Sequence, residues 1–100
     1  MHRFIALYPP PVDPAAFREH YVNVHVPLVE AMPGIRNMAY SFDATVLAGD
    51  ATYALVFEAE FTDRAAMQAA LESPEGAKAA ADLANFATGG VVLLDYDVRR

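Results

Sequence analysis

Hydrophobic and polar positions alternate most regularly between Thr52 and Phe61, where Tyr53, Leu55, Phe57, Ala59 and Phe61 share one side and Glu58 and Glu60 the other. A period of two predicts a strand with one buried face. The same period, less sharply kept, runs from Ile35 to Thr45, with Met38, Tyr40 and Phe42 opposite Ala39, Ser41 and Asp43. Gly49 and Asp50 between these runs mark a hairpin loop. Met1 to Tyr8 is a short apolar run stopped by Pro9, Pro10 and Pro11, and Val91 to Val98 is another that follows Gly89 and Gly90. Both read as strands.

Between the strands the pattern changes period. Asp13 before Pro14 is a helix start, because the carboxylate accepts orphan backbone N–H groups and proline at the first helical position has none to lose. At about 100° per residue, Phe17, Tyr21, Val24 and Leu28 form one stripe that would face a sheet, with His25 on its flank one turn after Tyr21. Pro27 cannot donate to the carbonyl of Asn23, which predicts a kink or restart, and Pro33-Gly34 ends the segment. Thr62 and Asp63 offer caps for a helix to about Glu72, and Ser73-Pro74-Glu75 opens a further helical piece to about Phe86. The alanines there express helix propensity.

Strand, helix, strand, strand, helix, strand within one hundred residues predicts a single α+β domain over residues 1–100 of ferredoxin-like βαββαβ type, a four-stranded antiparallel sheet with its helices on one face. Both faces of these strands carry apolar side chains, however: Ala54 and Val56 oppose Leu55 and Phe57, and Val92 and Leu94 oppose Val91 and Leu93. The uncovered face needs a partner, and a second copy packed sheet to sheet makes a homodimer the expected assembly.

Composition narrows the function. Seven Lys plus Arg stand against thirteen Asp plus Glu, a net charge of −6, which makes nucleic acid an unsuitable partner. The first apolar run is too short for a membrane span or a signal-peptide core, so a cytoplasmic, soluble protein without a membrane partner is expected. With no cysteine, thiol nucleophiles, redox pairs and thiolate metal sites drop out. His20 and His25 lie five apart, about 140° around an α-helix, and no HExxH motif joins them, so no metal site is expected. Gly89-Gly90 precedes a strand instead of opening a helix, so the sequence calls for no nucleotide or other cofactor, and no GxSxG turn offers a serine nucleophile.

What remains is Tyr21 and His25, one turn apart beside a proline. Such a histidine either acts as general acid or base on a small molecule, aided by the tyrosine hydroxyl, or it is a structural residue bonded near the kink. Tyr8, Leu28, Tyr40, Phe57 and Phe86 are the candidates for an apolar wall around a small apolar or aromatic ligand, although each also serves as core.

Several segments resemble the EthD family of dimeric αβ-barrel proteins: Ile5-Ala6-Leu7-Tyr8-Pro9, Tyr21-Val22-Asn23-Val24-His25-Val26-Pro27-Leu28, Met32-Pro33-Gly34, Ser73-Pro74-Glu75-Gly76 and Asp82-Leu83-Ala84-Asn85-Phe86. The His-x-Pro-Leu portion is the most diagnostic. The resemblance implies a ferredoxin-like protomer that pairs with its twin, and it matches His25 to the family's motif histidine. Muconolactone-type isomerases and cofactor-free quinone-forming monooxygenases are related barrels. Two functions are therefore expected in turn: a cofactor-free catabolic or secondary-metabolic enzyme of isomerase, lyase or monooxygenase type, or a non-catalytic small-molecule-binding accessory protein of a degradation pathway.

Overall fold

Strand β1 (His2–Tyr8) pairs antiparallel with β3 (Tyr53–Phe61) on one side and with β4 (Val92–Asp97) on the other. Strand β2 (Arg36–Ala44) joins the free side of β3, so the order is β2-β3-β1-β4 in the computed structural model, which describes residues 1–100. Five helical pieces are threaded between the strands: α1 (Pro14–His20), a π-turn (Tyr21–His25), α2 (Val26–Glu30), α3 (Arg64–Glu72) and α4 (Pro74–Phe86). This is the ferredoxin-like α+β plan expected from the pattern. No helix is long and apolar enough to cross a membrane.

The predicted helix starts work as the sequence implies. Asp13 accepts from the Ala16 amide at 3.1 Å and Asp63 from the Ala66 amide at 2.8 Å, each taking up an orphan donor of the first turn. Ser73 serves both helices it separates, accepting from the Gly76 amide at 3.1 Å and donating to the Ala70 carbonyl at 2.5 Å. That junction is tight, since a Cβ on Gly76 would lie 2.3 Å from the Ala70 oxygen.

Register then decides which side chains meet the helices. Ala6 lies opposite Phe57 and Tyr8 opposite Leu55; all four are buried, as are Ala59 and Phe61, and Phe17, Tyr21, Met67, Ala79 and Phe86 come down from the helical layer. The opposite sheet face carries Ile5, Leu7 and Val56, partly buried, and Val92, Leu94 and Tyr96, which are exposed. The apolar second face expected from the alternation is present.

One predicted stripe is corrected. Phe17 and Tyr21 are buried as expected, but Val24 is exposed and Leu28 only half-buried, while His25 and Val29 are buried in their place. The cause is the π-turn: the Val26 amide donates to the Tyr21 carbonyl, five residues back, beside a proline that has no N–H to give. The wider turn takes more residues per revolution, so the inward face advances from Phe17 to Tyr21, His25 and Val29 in steps of four instead of drifting to Val24 and Leu28.

At the other end of β1, His2 is buried with both ring nitrogens in use, Nδ1 donating to Asp97 and Nε2 to Asp95, each at 2.6 Å, and Arg64 also donates to Asp95 at 3.1 Å. Two donated bonds require the imidazolium. The hydrogen bonds to Asp97 and then Asp95 raise the His2 pKa above its ordinary 6.5, and His2 in turn holds both carboxyls below their usual range. A folded-state pKa above the unfolded one means that the stabilisation is fully present below about pH 6.5 and is lost as pH rises through the raised value. The melting-temperature gap between wild type and His2→Gln should therefore be larger near pH 6 than near pH 9; a gap that does not change with pH would remove the charge from this clasp.

Candidate functional site

The site grows from two helical segments that face each other. Gly76, Ala79, Asp82 and Phe86 form the buried stripe of α4, which sets a carboxylate where the spacing of the helix otherwise places apolar residues. The π-turn supplies its partners. His25 Nδ1 lies 2.9 Å from Asp82 Oδ2, and His20 Nε2 lies 2.9 Å from Oδ1 and 3.0 Å from Oδ2. Asn85, one turn along α4, donates to Oδ1 at 3.0 Å. The angular separation that kept His20 and His25 apart on an α-helix does not apply across a π-turn, and both reach one carboxylate.

Electrostatics assigns the protonation states. Burial alone would push the Asp82 pKa up, but hydrogen bonds from Asn85, His20 and His25 outweigh it and hold the carboxyl below its usual range. For His25, burial dominates and lowers the pKa below 6.5, against the opposing pull of Asp82. An ionised Asp82 accepts the Nδ1–H of a neutral His25, which leaves the lone pair on Nε2.

The His25 side chain borders a cavity. A space of about 80 Å3 lies between sheet and helices, lined by His25 and by apolar groups such as Ala6, Phe57, Phe61, Val29 and Leu83. A single water needs roughly 10–15 Å3 on this measure, so the space takes a small molecule. Its polar side chains are Tyr8, Tyr21 and His25. Neither hydroxyl nor His25 Nε2 has a hydrogen-bond partner in the chain, and no buried side-chain polar atom is sealed off without one, so each of these three atoms keeps some accessible surface on a side chain of the cavity lining. Burial pushes both tyrosine pKa values up, so both are neutral hydroxyls. Leu71, Ala80 and Leu93 are the exposed residues of the lining and mark the mouth, between the α3–α4 pair and the β4 edge.

Of the residues anticipated from sequence, His25, Tyr21, Tyr8 and Phe57 come together on this cavity. Phe86 packs on the outer side of His25, ring centres 4.7 Å apart, and Tyr40 meets the Tyr21 ring edge-on at 5.3 Å; both support the site without lining it. Leu28 is turned away by the π-turn and packs at the margin of the core. Asp82 and His20 were not anticipated. The signal for Asp82 was its place at four residues before Phe86 and three after Ala79, on the apolar stripe of a helix, where an acid is rarely left without a partner.

The EthD domain family matches residues 9–90. The uncharacterized 11.0 kDa protein of the thcB-thcC intergenic region of Rhodococcus erythropolis is 44% identical over 101 residues, covering 97% of this chain and 94% of that protein. An ethyl tert-butyl ether d (EthD) family protein from Bacillus halodurans C-125 superposes with a TM-score of 0.89 at 32% identity, over 99% of each chain. A dimeric ferredoxin-like protein from Thermobifida fusca does so with a TM-score of 0.74 at 21% identity, over 97% of this chain and 90% of the other. SnoaB, a cofactor-independent oxygenase from Streptomyces nogalater, shares the fold with a TM-score of 0.68 at 18% identity, over 99% of this chain and 93% of its own.

Proposed function

The chain belongs to the EthD family, and from that premise we propose that it is a cofactor-free small-molecule enzyme in which His25 acts as general base. The observation that carries this is the division of labour on one imidazole: Nδ1 is held by a buried Asp82 at 2.9 Å while Nε2 has no partner in the chain, on a side chain that lines an otherwise apolar cavity. A base so oriented removes a proton from an acidic C–H or O–H of an apolar substrate, and Asp82 stabilises the imidazolium that results. The Tyr8 and Tyr21 hydroxyls are placed to hydrogen-bond the oxygen on which negative charge develops. Proton removal of this kind opens isomerase, lyase and cofactor-free oxygenase reactions alike. The fold shared with the oxygenase SnoaB fits within that range.

Assembly as a homodimer accompanies this reading. The sheet face with Ile5, Val56, Val92, Leu94 and Tyr96 is apolar and outward, and a structural neighbour of the same fold is described as dimeric. Two such faces packed together leave both cavities, on the helical side of each sheet, intact.

The test is a thermal-shift screen of wild type and His25→Gln against lactones, phenols and quinones, at about pH 5 and about pH 8, followed by a turnover assay on any class that stabilises. One class should stabilise wild type alone and be converted by it, with kcat rising as pH climbs through the lowered pKa of His25, below 6.5. Stabilisation without conversion would leave a binding protein that uses His25 as a ligand contact. No stabilisation, with an early-melting variant, would reduce His25 to a structural residue.

A further inference from the structure

We infer that His25, Asp82 and His20 form a proton path that connects the enclosed base to solvent on the side away from the cavity. The inference rests on the reading of His25 as a base and asks where the proton goes afterwards. A bound substrate occupies the cavity and covers Nε2, and the mouth at Leu71, Ala80 and Leu93 lies on the substrate's side. Nδ1 points the other way, to Asp82, which is buried, and Asp82 touches His20, whose side chain is 27% exposed. The three groups thus run from an enclosed imidazole through an enclosed carboxylate to a solvent-facing imidazole, in hydrogen bonds of 2.9 to 3.0 Å throughout. A carboxylate that only had to orient His25 needs one imidazole; the second is stacked on Phe86 with ring centres 5.1 Å apart.

The transfer balances without a co-reactant. Protonated His25 gives its Nδ1 proton to Asp82 Oδ2; His20, whose Nε2–H donates to the ionised carboxylate at rest, passes to its Nδ1–H tautomer by proton exchange with water at its exposed ring, takes the carboxyl's proton on Nε2 and releases its Nδ1 proton to water, which returns it to the tautomer it started from. His25 ends neutral with its proton on Nε2, and the starting tautomer returns when Asp82, reprotonated from water through His20, gives a proton back to Nδ1 as Nε2 gives its own to the product. The charged and titratable groups facing this chain are few. Asp82 comes from α4, Tyr21 from the π-turn, Tyr8 from β1, and Tyr40 from β2 behind Tyr21. Asp82 has ion-pair contacts with His20 and His25 and with no lysine or arginine.

The experiment uses the unliganded protein with 15N-labelled histidine and measures the exchange lifetime of the His25 Nδ1–H with water by NMR. His20→Gln keeps a side-chain amide to donate to Asp82 but cannot carry a proton. It should lengthen the lifetime at least tenfold while His25 keeps its Nδ1–H tautomer. Asp82→Asn keeps a carbonyl acceptor for His25 and should lengthen the lifetime similarly. In His20→Ala, imidazole added to the buffer should restore the faster exchange, which a merely structural role for His20 would not produce. Equal lifetimes in wild type and His20→Gln would overturn the path. An Nε2–H tautomer at His25 in wild type would instead overturn the reading of His25 as a base, so the two failures are distinguishable.

Discussion

Truncating Tyr21 to alanine should cost roughly 3–5 kcal/mol of stability, the range for removing a fully packed aromatic ring, whereas Tyr21→Phe should stay within roughly 1 kcal/mol of wild type. Tyr21 is 1% exposed. Its ring sits among those of Tyr8, Phe17, Tyr40 and Phe86, at 5.7, 6.2, 5.3 and 5.9 Å between centres, so its removal opens a hole where helix and sheet join. The hydroxyl is a different matter, because it has no protein partner, on a side chain of the cavity lining. Phenylalanine leaves nothing unpaired behind, and the near-neutral outcome follows. Equilibrium unfolding in urea of both variants separates ring from hydroxyl. A loss above roughly 2 kcal/mol in Tyr21→Phe would mean that the hydroxyl holds the fold together and is not a group kept free for a ligand.

The contrast between ring and hydroxyl also marks how far the sequence could be read. Strand β3 and the caps at Asp13, Asp63 and Ser73 were legible because their causes are local: alternation fixes a face, and a short polar side chain before a helix finds an N–H three residues on. The inward face of the first helical segment was legible to Tyr21 and then lost. Pro27 announced a disturbance, but a kink, a restart and a π-turn all satisfy a missing N–H, and only the last brings His25 to the inner face. Asp82 was missed for a related reason. Its neighbours Ala79, Ala80 and Ala81 carry little pattern, and its two histidine partners lie 57 and 62 residues away. The candidate base was thus readable from a local motif, while the carboxylate that orients it depends on α4 packing across the π-turn.

The second large effect concerns the outward sheet face. Leu94→Glu should convert the proposed homodimer to monomers, with the dissociation constant rising by roughly 10²- to 10⁴-fold, read as a halved mass by light scattering or sedimentation. Leu94 lies on β4 beside Ile5 of β1, in the same cross-sheet row as Glu58 of β3. It is 39% exposed in the single chain, so the protomer itself tolerates a polar group there. In a two-fold assembly each substitution occurs twice. Losing the burial of a leucine costs roughly 1.5–3 kcal/mol per copy, hence roughly 3–6 kcal/mol per dimer, and a desolvated carboxylate in the row of Glu58 adds to it. The helices and the cavity lie on the other face, so the monomer should keep the His25–Asp82 pair and its ligand response. A variant that remains dimeric would place the interface elsewhere and leave the apolar face of Ile5, Val92 and Leu94 without its cover.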